Sequence, residues 1–225
     1  MAAGEGTRLR PVTERWPKPV LPIDGRPVLA TLLHELRGAG CERTWLVTGH
    51  LADHVERLAG DGGAFGLDIR TTRQPAVLGS ADAVRRAIDA GAPLPALVVA
   101  ADTVFRPGDV QRVQQAYEAS GAGGAIAVRR DPPPGPGRRV VDVQAGRVVA
   151  IGEEHGSFSG APLWGIDVPV AERLCVDRAP YELENAYRAA LAAGETIVAV
   201  EIGKTRDLTD PLDLVEENFP YLTGI

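Results

Sequence analysis

A short stretch near the amino end carries the residue types that could hold a polyphosphate. In AAGEGTRLRPVTERWPKPVLPIDGRPVL (residues 2–29), Gly4 and Gly6 let backbone N–H groups approach an anion with no Cβ in the way. Arg8 follows two residues later, and its planar fork suits phosphate oxygens. Pro17 and Pro19 bracket Lys18. Proline at 19 predicts that Lys18 is steered from helical toward extended geometry, which aims its ammonium and lowers the entropy lost on binding a charge. A point charge beside a rigid fork is suited to a polyphosphate on which charge develops. Lys18 and Lys204 are the only lysines among 24 basic residues, a bias that high-GC coding would explain. The dinucleotide fingerprint fits poorly. Leu9 takes its third glycine position, Pro11 blocks an immediate helix, and Asp24 lies in a loop before a helix rather than at a strand end.

The rest of the chain must position these groups. Alternating apolar strands and amphipathic helices are predicted: a helix over 27–40, a strand over 44–48, a helix over 50–59 and a strand over 67–72. A helix over 80–90 opens on Ser80 as its N-cap, the strand ALVVAA (96–101) runs into Asp102, a helix over 107–119 starts at Pro107, and a strand covers 124–128. DPPPGPG (131–137) is expected to be an exposed, stiff, polyproline-like loop. Segments 139–143 and 147–151 form a hairpin, followed by a helix over 182–193, a strand over 196–202 and a helix over 211–218. The fold class expected is α/β: a three-layer, mostly parallel Rossmann-like sheet with helices on both faces and a small β-hairpin subdomain. A single domain over 1–225 is expected, with a nucleotide-binding half (1–130) and an acceptor-binding half (131–225) packed back on the same sheet. A glycine loop of this kind normally follows a full strand, yet only Met1, Ala2 and Ala3 precede Gly4, so either the start is late or that strand is clipped.

Composition sets outer bounds. At 225 residues the chain can bury about 70–75% of its unfolded surface without disulfide or metal staples. Apolar residues are 44% and charged residues 24%, as in soluble globular proteins. There is no apolar run of about 20 residues and no secretory leader, so no membrane partner is expected. Cys41 and Cys175 are far apart and match no metal spacing, which predicts reduced thiols in a cytoplasmic setting. A net charge of −6 argues against nucleic acid as a partner.

The 2–29 stretch resembles the signature of sugar-1-phosphate nucleotidylyltransferases, which join a nucleoside triphosphate to a sugar phosphate and release pyrophosphate. The resemblance implies Arg8 and Lys18 as catalytic residues, with Ala3, Gly4, Gly6 and Thr7 on the nucleotide. The family's base-holding pattern Q-P-x-x-x-G-x-A-x-A is matched by Gln74, Pro75, Gly79, Ala81 and Ala83, and an amide can read a pyrimidine imide edge. Asp102 stands where the family has a magnesium-binding aspartate, with Ala101 in place of the usual glycine. Asp207, in RDLTDP, resembles the aspartate of a late D-I-G-T-P segment that supplies the second metal ligand; an N-cap role for the last helix fits Asp210 better. The acceptor side is less similar: Glu153-Glu154-His155 replaces a glutamate–lysine pair, Trp164-Gly165 replaces alanine–glycine, and Glu154 and Gly165 are the residues implied there.

The reaction implied is in-line attack by the acceptor phosphate on the α-phosphorus, with Mg²⁺ as cofactor and no covalent intermediate. The nucleotide expected is dTTP or UTP, and the chain is compatible with a homo-oligomer. No repeats indicate a second acyltransferase module. Three other readings stay open: a cytidylyltransferase for inositol phosphate or phosphocholine, a catalytically silent nucleotide sensor, and an NAD-dependent oxidoreductase disfavoured by the missing third glycine.

Overall fold

Val28, Leu29, Leu32, Leu33 and Leu36 recur at helical spacing, and all five are buried on one helix. The computed structural model describes residues 1–130, 140–152, 156–175 and 181–222. Its first elements are β1 (Pro22–Ile23), β2 (Arg26–Pro27), α1 (Val28–Gly38), β3 (Arg43–Thr48), α2 (Ala52–Ala59) and β4 (Asp68–Arg73). Then come α3 (Ser80–Asp89), β5 (Ala96–Val99), β6 (Thr103–Val104), α4 (Asp109–Ser120), β7 (Gly124–Arg129), β8 (Val140–Gln144), β9 (Arg147–Gly152) and β10 (Phe158–Ile166). The chain closes with α5 (Val168–Ala171), α6 (Leu183–Ala192), β11 (Ile197–Glu201), β12 (Arg206–Asp207) and α7 (Pro211–Glu216). The α/β class is as expected. The proline-rich 131–137 loop lies outside the described residues.

The chain forms two compact units, one of Met1–Val77, Ala100–Val104 and Thr205–Ile225, the other of Leu78–Val99 and Phe105–Lys204. In the first, β3 and β4 pair in parallel from Arg43↔Asp68 to Thr48↔Arg73. Ala2 makes one parallel bridge to Thr48, its N–H donates to Val47 O at 2.7 Å, and Met1 O accepts from Ala101 N at 2.8 Å. The middle of the chain returns to the first unit where β6 pairs antiparallel with β12, Thr103 opposite Asp207 and Val104 opposite Arg206. Beneath lies a buried cluster of Leu9, Leu21, Ile23, Val28 and Leu208. Burying a leucine side chain is worth about 1.5–3 kcal/mol. Leu9 and Leu208 therefore supply the energy that holds their exposed neighbours Arg8 and Asp207 at the cluster's rim.

The second unit holds a six-stranded sheet in the order β5-β10-β7-β11-β9-β8. β7 pairs in parallel with β11, and its GAIAVR sequence is buried almost throughout, as befits a central strand. β10 lies antiparallel between β5 and β7, so this sheet is mixed, and its parallel part is the β7–β11 pair. The strand signal of β10 is hidden in FSGAPLWGI by Gly160, Pro162 and Gly165. Pro162 has no N–H to give a ladder, and the register with β7 shifts between Gly160 and Trp164. The β8–β9 hairpin turns through Ala145 and Gly146 at φ of 49° and 76°, the paired left-handed conformation of a tight hairpin turn.

Several helix starts differ from expectation: α2 begins at Ala52, not His50. Gly79, not Ser80, sits at the N-cap of α3. The Ser80 hydroxyl donates to Glu182 Oε2 and accepts from Leu183 N, both at 2.8 Å, and so serves the start of α6. α4 begins at Asp109 behind left-handed Gly108, two residues beyond Pro107.

Candidate active site

The glycine loop is built from a turn and two anchors. Ala3 is buried, and its carbonyl accepts from His50 N at 3.3 Å. Gly6 is left-handed (φ 62°, ψ 40°), and its carbonyl accepts from Leu9 N and from Thr13 Oγ1, both at 2.9 Å. A Cβ at position 6 would reach Thr13 Cγ2 at 3.0 Å, so both conformation and space call for glycine there. Among the described residues, the backbone N–H groups of residues 4–8 donate to no protein group. Five successive open donors, with Arg8 exposed beside them, form a concave positive rim. A cavity of about 270 Å³ is lined in part by Gly4, Gly6, Thr7, Arg8, Lys18 and Asp102.

Lys18 Nζ lies 2.9 Å from Asp102 Oδ2 and 3.8 Å from Asp207 Oδ2. These three residues, far apart in the chain, converge for a reason of topology. Asp102 directly precedes β6, Asp207 is in β12, and the β6–β12 pairing aligns them. Lys18 is not extended as Pro19 predicts. Its residue opens a short 3-10 turn over Lys18–Val20, and Pro17 before it is the extended one (φ −67°, ψ 144°). Pro19 is buried, so the turn is pinned and the ammonium, whose side chain is 12% exposed, has little freedom. Asp210 caps α7 through a capping box with Asp213, which leaves Asp207 to the site.

The two carboxylates test whether a hard cation fits. Both aim at one ammonium, so their nearer oxygens are no farther apart than the two contacts laid end to end. Carboxylate oxygens converging on one point of positive charge are the donor set that Mg²⁺ takes. Among the described residues no third His, Cys, Asp or Glu joins them to complete an all-protein cage. That agrees with an ion which keeps waters and substrate phosphates as its other ligands.

Of the other expected residues, Gln74 belongs to the first unit, is buried, and continues the β4 ladder through its N–H to Thr48 O at 2.7 Å. Gly79 and Gly165 belong to the second unit. Gly79 has φ 112°, and a Cβ there would lie 2.4 Å from Tyr181 O. Gly165 is buried in β10, where a Cβ would lie 2.4 Å from Tyr117 Cδ1 and where its carbonyl accepts from Tyr187 Oη at 2.7 Å. Burial pushes both tyrosine hydroxyls up from their ordinary pKa, so both stay neutral, and Tyr187 is the donor to Gly165. Trp164 is likewise buried in β10. Glu154 lies outside the described residues.

Several positioning groups carry no motif in the sequence. Arg206 grips Asp24 by two bonds of 2.6 and 2.9 Å and also pairs with Glu217, which ties the β1–β2 turn to β12. The hydrogen bond from Arg206 holds the Asp24 carboxyl below its ordinary value, against a smaller upward push from burial. Thr13 and His50, which brace Gly6, escape notice because their partners are backbone carbonyls.

Residues 1–153 match the model of the nucleotidyl transferase family. Among curated relatives, the bifunctional protein GlmU of Paracidovorax citrulli is 32% identical over 96% of this chain and 48% of its own length. The mannose-1-phosphate guanylyltransferase of Mycobacterium tuberculosis is 29% identical over 100% of this chain and 64% of its own. The chain thus spans about half to two thirds of these relatives. A UDP-glucose pyrophosphorylase structure from Acinetobacter baumannii superposes with a TM-score of 0.79, covering 96% of this chain and 89% of that one; at 20% identity it is a likeness of fold. With more than half of its length matched by the family's model, and with that match spanning the glycine loop, Lys18 and Asp102, this chain belongs to the nucleotidyl transferase family.

Proposed function

We propose that the protein transfers a nucleotidyl group from a nucleoside triphosphate to a sugar 1-phosphate, giving a nucleotide-sugar and pyrophosphate. The observation that carries this reading is the convergence of Lys18, Asp102 and Asp207 beside a run of open amides in residues 4–8. Each part has a task. The amides of Gly4, Gly6 and Thr7 and the Arg8 fork bind the phosphates and neutralise the leaving pyrophosphate. Lys18 answers the charge on the α-phosphate as the acceptor oxygen attacks in line. An ionised acceptor phosphate is already a nucleophile at neutral pH, so the residues orient it and no proton need be removed.

Asp102 and Asp207 are the residues that would hold Mg²⁺, and the ion would supply charge neutralisation across the phosphate oxygens. Ala3 and Thr7 border the nucleotide, Gln74 and Gly79 serve the base, and Glu154 and Gly165 serve the acceptor. The amide of Gln74 favours the imide edge of dTTP or UTP. Relatives named as uridylyl-, thymidylyl- and guanylyltransferases of glucose 1-phosphate or mannose 1-phosphate differ in base and sugar, which leaves both to measurement.

The test is a pyrophosphate-release screen of four nucleoside triphosphates against common hexose 1-phosphates, with magnesium and with chelator. The expected result is magnesium-dependent release that requires one acceptor and one preferred pyrimidine triphosphate. Nucleotide binding without release for any pair refutes the proposal.

A further inference from the structure

We propose that His50 is the positioning residue of the glycine loop, holding its two ends so that the amides of residues 4–8 stay aimed outward. Three observations carry this. The His50 backbone N–H donates to Ala3 O at 3.3 Å, immediately before Gly4. Its ring Nε2 lies 2.7 Å from Thr13 O, beyond the loop's far end. Thr13 in turn donates its hydroxyl to Gly6 O at 2.9 Å, inside the loop. One residue therefore brackets residues 4–12 and reaches the left-handed Gly6 through a single intermediary.

The chemistry of the link is one-directional. A carbonyl only accepts, so Nε2 of His50 carries the hydrogen whatever the ring's other nitrogen does. Thr13 is 1% exposed, and its methyl stands 3.0 Å from where a Cβ on residue 6 would be, so a shift of Thr13 is passed on to Gly6. The crossing itself is close: a Cβ on Gly49 would lie 2.8 Å from Ala3 Cβ, which fixes how the 49–50 segment passes the start of the loop. The run of undonated amides is costly to hold in one arrangement, because none of its N–H groups is tied to a protein acceptor and only the carbonyls of Gly6 and Thr7 are held. Anchors at its two ends are what keep it ordered before an anion arrives. His50 touches no reacting atom in this scheme and acts through the loop.

This inference rests on the reading of the loop as a phosphate site, and the experiment separates the two. The amides of Leu9 and Arg10, which bond to Gly6 O at 2.9 Å and Thr7 O at 3.3 Å, report loop order by hydrogen exchange. Inorganic tripolyphosphate reports anion affinity by calorimetry. His50→Ala is expected to speed exchange at both amides and to weaken tripolyphosphate about five- to tenfold, the value of one hydrogen bond. His50→Gln, whose amide can donate to the same carbonyl, is expected to restore both. In turnover the loss falls on KM for the nucleotide rather than on kcat. Should His50→Ala not fold, Thr13→Val against Thr13→Ser asks the same question at the next link. Unchanged exchange in His50→Ala, or a glutamine variant no better than alanine, overturns the proposal. Faster exchange with tripolyphosphate affinity intact supports His50 as the anchor and overturns the phosphate-site reading instead.

Discussion

Gly6 and Gly165 are both glycines at positions implied for substrate, and their surroundings are opposite. Gly6 lies in a polar loop of the first unit, left-handed, with open amides beside it and one methyl group behind. Gly165 lies in a buried strand of the second unit, under the ring of Tyr117 and bonded to Tyr187. The first is required by a left-handed backbone and by the Thr13 methyl 3.0 Å from where its Cβ would lie. The second is required by an aromatic ring that fills the space of its side chain. A glycine in a motif thus has a packing reason or a chemical one, and its neighbours tell which.

The contrast is best broken where charge is concentrated. Lys18→Ala and Asp102→Ala are each expected to lower kcat by about 10²–10³-fold, the usual cost of removing one preorganised charge, while circular dichroism and thermal melting show a folded protein. Near-normal turnover in either removes the polar half of the comparison. Chelation of divalent ions should mimic the loss in Asp102→Ala.

The packing half predicts a stability effect. Gly165→Ala forces the Tyr117 ring aside in a filled core and should lower unfolding free energy by about 1–3 kcal/mol, read from urea titration. Tyr187→Phe removes one buried bond to Gly165 O and should cost about 1 kcal/mol by the same measurement. If Gly165→Ala is as stable as the parent, the aromatic explanation fails.

Acid titration sharpens the comparison further, because the surface of the first unit carries carboxylates held by arginine. Glu56 lies below its ordinary value of 4.5, chiefly through the hydrogen bond from Arg73, and Asp24 below 3.8, chiefly through Arg206. A depressed folded-state value means the unfolded chain takes up protons first as pH falls. This stability is therefore complete above the ordinary carboxylate range and is lost as pH drops through and below it. Glu56→Gln should flatten the urea midpoint between pH 6 and pH 3, and an unchanged slope would count against the pairing. The smallest stability effect is expected for Gly4→Ala, within about 0.5 kcal/mol, since a Cβ there meets nothing within 4 Å.

Periodicity alone located most of the elements in the chain. The apolar stripe of α1, the short apolar runs of β3, β5 and β7 and the turn before β9 all stand out because burial imposes a spacing that local sequence displays. β10 was invisible: proline and glycines interrupt its pattern, and only neighbours on both sides make it a strand. The direction of its pairing was equally hidden, since period-two patterning is the same for parallel and antiparallel neighbours. Within the candidate site, residue types were readable and several supports were not. Arg8, Lys18, Asp102 and Asp207 advertise their charge, whereas Thr13 and His50 act on backbone carbonyls, which leave no trace in side-chain identity.

What the sequence determined by itself is the chemistry available: glycines that free amides, two prolines that bracket a lysine, and the carboxylates of Asp102 and Asp207. Only tertiary structure decided that Asp102 and Asp207 share one ammonium, because that depends on two-residue strands too short to form alone and stabilised by the burial of Leu208. It also decided that Lys18 opens a 3-10 turn rather than extending, with the next residue, Pro19, buried. Local sequence sets what each residue can do; the partners that burial brings from distant parts of the chain set what it does.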